Sequence, residues 1–162
     1  MKIQDLLFGV LLAGLVPIAS GQTAQSTPGA TGVASSPRTA ERFVELPGGV
    51  KDMQAGVVWA KSDNRLDTTW PQAADFCKRK GAGWRLPAAS ELQALHDSTQ
   101  SVACGRWTCR ASPKFHLSGP WFWSNERQGA SEASFVYLTT GARSSTHVGN
   151  RNGLQALCVR RP

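Results

Sequence analysis

Four cysteines constrain this chain more than any other feature: Cys77, Cys104, Cys109 and Cys158. They follow an N-terminal segment that reads as a secretory signal. Lys2 gives a thin positive start, weakened by Asp5, and Leu6 to Val16 forms an apolar core too short to span a membrane. Ala19, Ser20 and Gly21 offer small residues for cleavage before Gln22, and no cysteine stands there to carry a lipid anchor. An even cysteine count behind such a segment implies disulfides formed in an oxidising compartment, with three pairings open. A buried N-terminal helix is the alternative reading of residues 1–21. It is disfavoured by the stretch that follows.

That stretch, "QTAQSTPGATGVASSPRTA" over residues 22–40, has almost no large apolar side chain. It cannot offset the entropy of ordering itself and reads as a flexible linker. A folded domain is expected over residues 41–162. No internal repeat is visible. No apolar run outside the signal is long enough for a membrane helix.

Within the domain the hydrophobic period changes. "RFVELPGGV" reads as a strand entering a Gly-Gly turn, and "AGVVWAKS" as a second strand. "TTWPQAADFCKRKG" then turns helical. Thr69 and Gln72 make a capping-box pattern and Pro71 fits the first turn. Trp70, Ala73, Ala74 and Cys77 share one face. Lys78, Arg79 and Lys80 suit the negative end of the helix dipole, and Gly81 suits the stop.

A second short helix is predicted after Pro87, with Leu92 and Leu95 on its buried side. Ala88 and Ala89 at its start accept no hydrogen bond, so its cap is expected to be weaker than a Ser or Thr cap by about 1 kcal/mol. Residues 98–120 read as a long loop. "WFWSNE", "ASFVYLTTG" and "LQALCVRR" read as three strands, with "ARSSTHVGNRNG" a polar loop before the last. The order implies an α+β fold with an antiparallel sheet.

The ordered motifs "VKDMQAGVVWA", "TWPQAADFC", "GWRLPAASEL", "WFWSNE" and "LCVRR" resemble the Lcl C-terminal domain family, named for a collagen-like adhesin, over about residues 41–162. The resemblance implies a C-type-lectin-like fold, related to that of the formylglycine-generating enzyme: two short helices on a small antiparallel sheet, with long loops and disulfide staples. It implies a Cys77–Cys158 bridge, like the long disulfide of lectin-like folds, and with it Cys104–Cys109. On loop entropy these would contribute roughly 4.5 and roughly 2 kcal/mol. It also implies that Trp84, Arg85, Leu86 and Pro87 form a structural corner between the helices. Trp84 would be buried there and Arg85 would pair with a nearby carboxylate or carbonyl. The functional alternative makes Trp84 and Arg85 ligand contacts. Fold relatives bind glycans, bind proteins or do chemistry, so the fold alone fixes no function. The best-described activity in the family is adhesion to sulfated glycosaminoglycans.

The remaining chemistry is sparse. "CGRWTC" has the look of a redox or copper-binding thiol pair, as in the formylglycine-generating enzyme, but here it lies ahead of "WFWS" and reads better as a structural disulfide. His96, His116 and His147 share no spacing with one another or with a cysteine, so no metal site is expected. After Asp97 only Glu126 and Glu132 are acidic, too few for a lectin calcium site, and no cofactor is implied. No Ser-His-Asp pattern is legible.

The positive clue is charge. The chain carries a net +7, and Ser101 to Pro162 holds eight basic residues against two acids, seven of the eight being arginine. The arginine fork matches sulfate, phosphate and carboxylate. The candidate binding residues are Arg143, Asn150, Arg151 and Asn152 in the polar loop, with Arg127 and Trp121. The alternative is a merely solvated basic surface.

The leading expectation is an exported, non-enzymatic module, periplasmic or at the bacterial surface, that binds an anionic polysaccharide or envelope component without calcium. Docking of an envelope protein is the second reading, and an oxidoreductase the third. Nucleic acid is not expected, since charge alone supports it.

Overall fold

The computed structural model describes residues 41–162; the expected signal at 1–21 and linker at 22–40 lie outside the described residues. The domain is α+β. Strands β1 (Phe43–Leu46), β2 (Gly49–Asp52) and β3 (Val57–Trp59) form an antiparallel meander, and β10 (Val159–Arg160) joins the far edge beside β3. Helices α1 (Trp70–Arg79) and α2 (Ala89–Leu95) follow, then a hairpin of β4 (Val102–Cys104) and β5 (Trp107–Cys109). A second four-stranded sheet, in the order β8-β7-β6-β9, is built from β6 (Trp121–Gln128), β7 (Glu132–Tyr137), β8 (Arg143–His147) and β9 (Leu154–Gln155).

Helix α1 has the expected bounds. The Gln72 side chain accepts the Thr69 N–H at 3.2 Å, Pro71 lies in the first turn, and Ala73 and Cys77 are buried. Gly81 and Gly83 take the left-handed conformations that let the chain leave the helix at once. The core gathers Trp59, Phe115, Phe122 and Trp123 with Leu92, Leu95, Leu138 and Leu157. Two disulfides, Cys77–Cys158 and Cys104–Cys109, lie inside it with all four sulfur-bearing residues buried. The first ties α1 to the segment before β10.

Four expectations need correction. Residues 98–120 are not one loop. They contain the β4–β5 hairpin, whose strands of three residues are too short to show a period. The polar stretch after Gly141 contains β8, an edge strand of largely exposed residues with no core face to reveal it. "LQALCVRR" is two strands in two sheets: β9 pairs with β6 and β10 with β3. The β6–β9 pair is also parallel, so the second sheet is mixed.

The start of α2 is the fourth correction. Ala88 offers no capping side chain, yet the helix is well capped. Glu91 Oε2 accepts the Ala88 N–H at 2.7 Å, and Glu126 Oε1, from β6, accepts the Ala89 N–H at 2.9 Å. Two carboxylates satisfy two orphan donors at the positive end of the helix dipole.

Candidate functional site

The Trp84–Pro87 stretch divides. Arg85, Leu86 and Pro87 belong to the frame. The Arg85 backbone exchanges two hydrogen bonds with Val159, at 2.9 and 3.0 Å. Its guanidinium grips Glu91 with two bonds of 2.7 and 2.8 Å and also donates to the Leu86 carbonyl. Leu86 and Pro87 are buried, and Asn125 of β6 donates its N–H to the Pro87 carbonyl. The Arg85 hydrogen bonds hold the Glu91 carboxyl below the usual carboxylate range, against the opposing effect of burial.

Trp84 meets its expectation in part. It packs against the core but stays half-buried, with Lys80 and Arg160 over its ring at 5.7 and 5.4 Å from the centroid. Two cations beside one indole are held by the ring's quadrupole while their charged ends stay near solvent.

This pair opens onto a longer row. Lys80 also lies 5.2 Å from the Phe76 ring centre. Phe76 lines a cleft of about 740 Å³ with Arg65, Arg79 and Arg151. Beyond Trp84, Arg160 and Arg161 border a neighbouring cleft with Arg85. Shared clefts and ring contacts thus link Arg151, Arg65 and Arg79 to Phe76, Phe76 through Lys80 to Trp84, and Trp84 through Arg160 to Arg161. Apart from Arg85, none of these cations has a carboxylate partner within ion-pair distance among the described residues. Asp67 also lines the first cleft, where its carboxylate accepts from the Gln155 amide at 3.1 Å. Arg65 is the only non-glycine residue at positive φ among those described, held there as Asp63 accepts its N–H at 2.8 Å. A left-handed arginine costs of order 1 kcal/mol and persists only where its surroundings fix it.

The sequence matches the family model described as the Lcl C-terminal domain over residues 48–160. The chain belongs to the Lcl C-terminal domain family. No curated protein matches it. Membership and two disulfides are consistent with an adhesin-like domain of the cell exterior or envelope. No helix among the described residues is long and apolar enough to cross a membrane.

In this Lcl C-terminal domain the residues picked out by sequence do not converge. Arg143, on β8, is bound to Glu126 at 2.7 Å and donates to Ser134 at 2.9 Å. Arg127, near the β6–β7 turn, donates to the Ala130 carbonyl and lies over the Trp70 ring at 5.4 Å. Asn150, Asn152 and Trp121 do meet, in an uncharged pocket. Arg151, between the two asparagines, lines the cationic cleft instead. Sequence reasoning missed Arg65, Arg79 and Lys80, and held Trp84 as a ligand contact only as the alternative to a structural corner. The available signal was the Lys78-Arg79-Lys80 run, read only as a helix-end complement. Among the described residues no group of His, Cys, Asp or Glu is placed to hold a metal ion.

Proposed function

We propose that this domain is exported and holds an anionic glycan or envelope polymer along the row from Arg151 to Arg161, without calcium and without chemistry. The observation that carries the reading is the row itself: cations interleaved with Phe76 and Trp84 and free of carboxylate partners among the described residues. Spaced arginines match successive sulfates or carboxylates, while the rings offer apolar faces to the sugars between them. The Cys77–Cys158 link between helix and terminal segment supports reading the fold as C-type-lectin-like. Calcium independence is supported by Glu126, the acid of "WFWSNE", whose two oxygens serve Ala89 and Arg143. A thiol reaction at Cys104 and Cys109 would first have to reduce the bond that joins them.

The test is binding of the oxidised chain to immobilised sulfated, carboxylated and neutral polysaccharides, from low salt to about 1 M, where surface charges are screened within a few ångströms. Binding should favour the anionic polymers, fall steeply with salt and ignore a chelator. The Arg79→Ala/Arg151→Ala variant should lose about tenfold or more at low salt. Salt-insensitive binding, or equal loss in Arg143→Ala, would overturn the site.

A further inference from the structure

The loop that sends Arg151 to the cationic cleft sends Asn150 and Asn152 to a different concavity, over the β8-β7-β6-β9 sheet. Its volume is about 320 Å³, at the small end of the range of roughly 300–1,000 Å³ usual for small-ligand sites. No residue that lines it is charged. Trp121 and Tyr137 wall it, edge to face with ring centroids 5.9 Å apart. Gly153, at φ +74°, lies so close to the six-membered ring of Trp121 that a Cβ would collide with it. Only glycine at this position lets the backbone pack so closely against the indole.

The polar groups of the pocket divide in two. One set secures the loop: Asn150 Nδ2 donates to Thr146 Oγ1 at 3.1 Å, and the Asn152 N–H donates to Asn150 Oδ1 at 3.0 Å. The other set makes no side-chain hydrogen bond among the described residues and belongs to residues that solvent reaches: the Tyr137 hydroxyl, the Trp121 indole N–H, the Ser144 hydroxyl and the Asn152 side-chain amide. These are neutral donors and acceptors in reach of aromatic walls. A charged ligand would find no counterion among the lining residues; the cation beside the adjoining aromatic surface is Arg106, 5.3 Å from the Trp107 ring centre. An aliphatic one would strip solvent from four polar groups and leave them unpaired. A pyranose satisfies both demands, with hydroxyls that donate and accept around its edge and C–H faces that pack on rings. Trp107 continues the aromatic surface: it is 43% exposed, and its ring centre is 6.0 Å from that of Trp121.

We propose that this pocket binds one unit of an uncharged oligosaccharide, with Trp107 packing against the next unit. The site is separate from the cationic row and stands without it.

The experiment titrates the full oxidised chain with uncharged oligosaccharides of glucose, N-acetylglucosamine, mannose and galactose. Salt is held at about 1 M, which screens the cationic row. Tryptophan fluorescence and calorimetry report binding. At least one saccharide should bind. Tyr137→Phe keeps the ring and removes only the hydroxyl, and Asn152→Ala changes an exposed loop residue; each should weaken binding about tenfold. Trp107→Ala should weaken a disaccharide more than a monosaccharide. Absence of binding across the panel, or parental affinity in both Tyr137→Phe and Asn152→Ala, would overturn the proposal.

Discussion

The arginines at the start of α2 and those along α1 meet opposite fates. At α2, Arg85 grips Glu91 and Arg143 grips Glu126, each at 2.7 Å, and the same two carboxylates take the first N–H groups of the helix. Along α1, Arg79 points into a cleft shared with Arg65 and Arg151, and Lys80 lies against Phe76 and Trp84. The helix dipoles account for both. The positive start of α2 draws acids, which then hold arginines, while the negative end of α1 favours Lys78, Arg79 and Lys80 and repels acids. One residue type thus serves as a strut in one place and stays available in the other.

The sharpest way to break this comparison is to remove arginines from each side. Replacing Arg65, Arg79 and Arg151 together by Ala should lower low-salt affinity for a sulfated polysaccharide about 100-fold, since each solvent-exposed contact contributes about 1 kcal/mol. The melting temperature should stay within about 2 °C, because surface positions away from buried networks shift stability little. Arg143→Ala should behave in the opposite way. Its ion pair is partly exposed, so about 1 kcal/mol of stability should go while affinity stays within about twofold. Surface-plasmon binding and thermal melts on the same preparations read both. Similar binding losses in the two variants would erase the distinction.

The next effect is smaller and concerns the struts. Glu91→Ala leaves the Ala88 N–H without its acceptor and Arg85 without its partner. It should cost about 2 kcal/mol, near 8 °C in melting temperature for a domain of this size, with the disulfides intact. Glu126→Ala should cost about 1 kcal/mol through Ala89 and Arg143. Polysaccharide affinity should not fall in either. Removing an acid near a basic surface can only favour an anion.

How much of this was legible in the sequence follows from how local each cause is. Helix α1 was readable because its period, Pro71 and Gly81 lie within a dozen residues of one another. The cap of α2 was not, because Glu126 comes from a strand far along the chain. Strand β8 hid because an edge strand with largely wet faces has no apolar alternation. The run from Leu154 to Val159 is buried throughout, so nothing in it marks the step from one sheet to the other. The meeting of Asn150 and Asn152 with Trp121 was within reach, since those residues were singled out together. The joining of Arg151 with Arg65 and Arg79 depends on packing between distant segments, and no spacing encodes that. Burial of Trp84 was implied by the family resemblance; the ring packs against the core only in part, and the cations over it, Lys80 and Arg160, come from the end of α1 and from β10, which no local spacing announces.

The smallest predicted effect is on acid stability, and it separates the struts of α2 from a similar one at β2. The Glu91 carboxyl is held below its ordinary value mainly by the Arg85 hydrogen bonds. Asp52 is 1% exposed, and burial by itself would push its carboxyl up. Arg42, at 2.8 Å, and the N–H groups of Ala55 and Gln54 outweigh that and bring it below its ordinary value. A carboxylate whose folded pKa is lowered contributes stability that is fully present above its unfolded pKa, about 4, and is lost as pH falls through the folded value. The parent domain should therefore lose stability to urea between about pH 5 and about pH 2. Glu91→Gln and Asp52→Asn should each start lower near neutral pH and lose less over that window, by about 1 kcal/mol apiece. The effects should add, because the two carboxylates have different arginine partners and lie in different parts of the fold. An acid loss as steep in the double variant as in the parent would place the sensitivity elsewhere and remove Glu91 as the strut that distinguishes Arg85 from the arginines of α1.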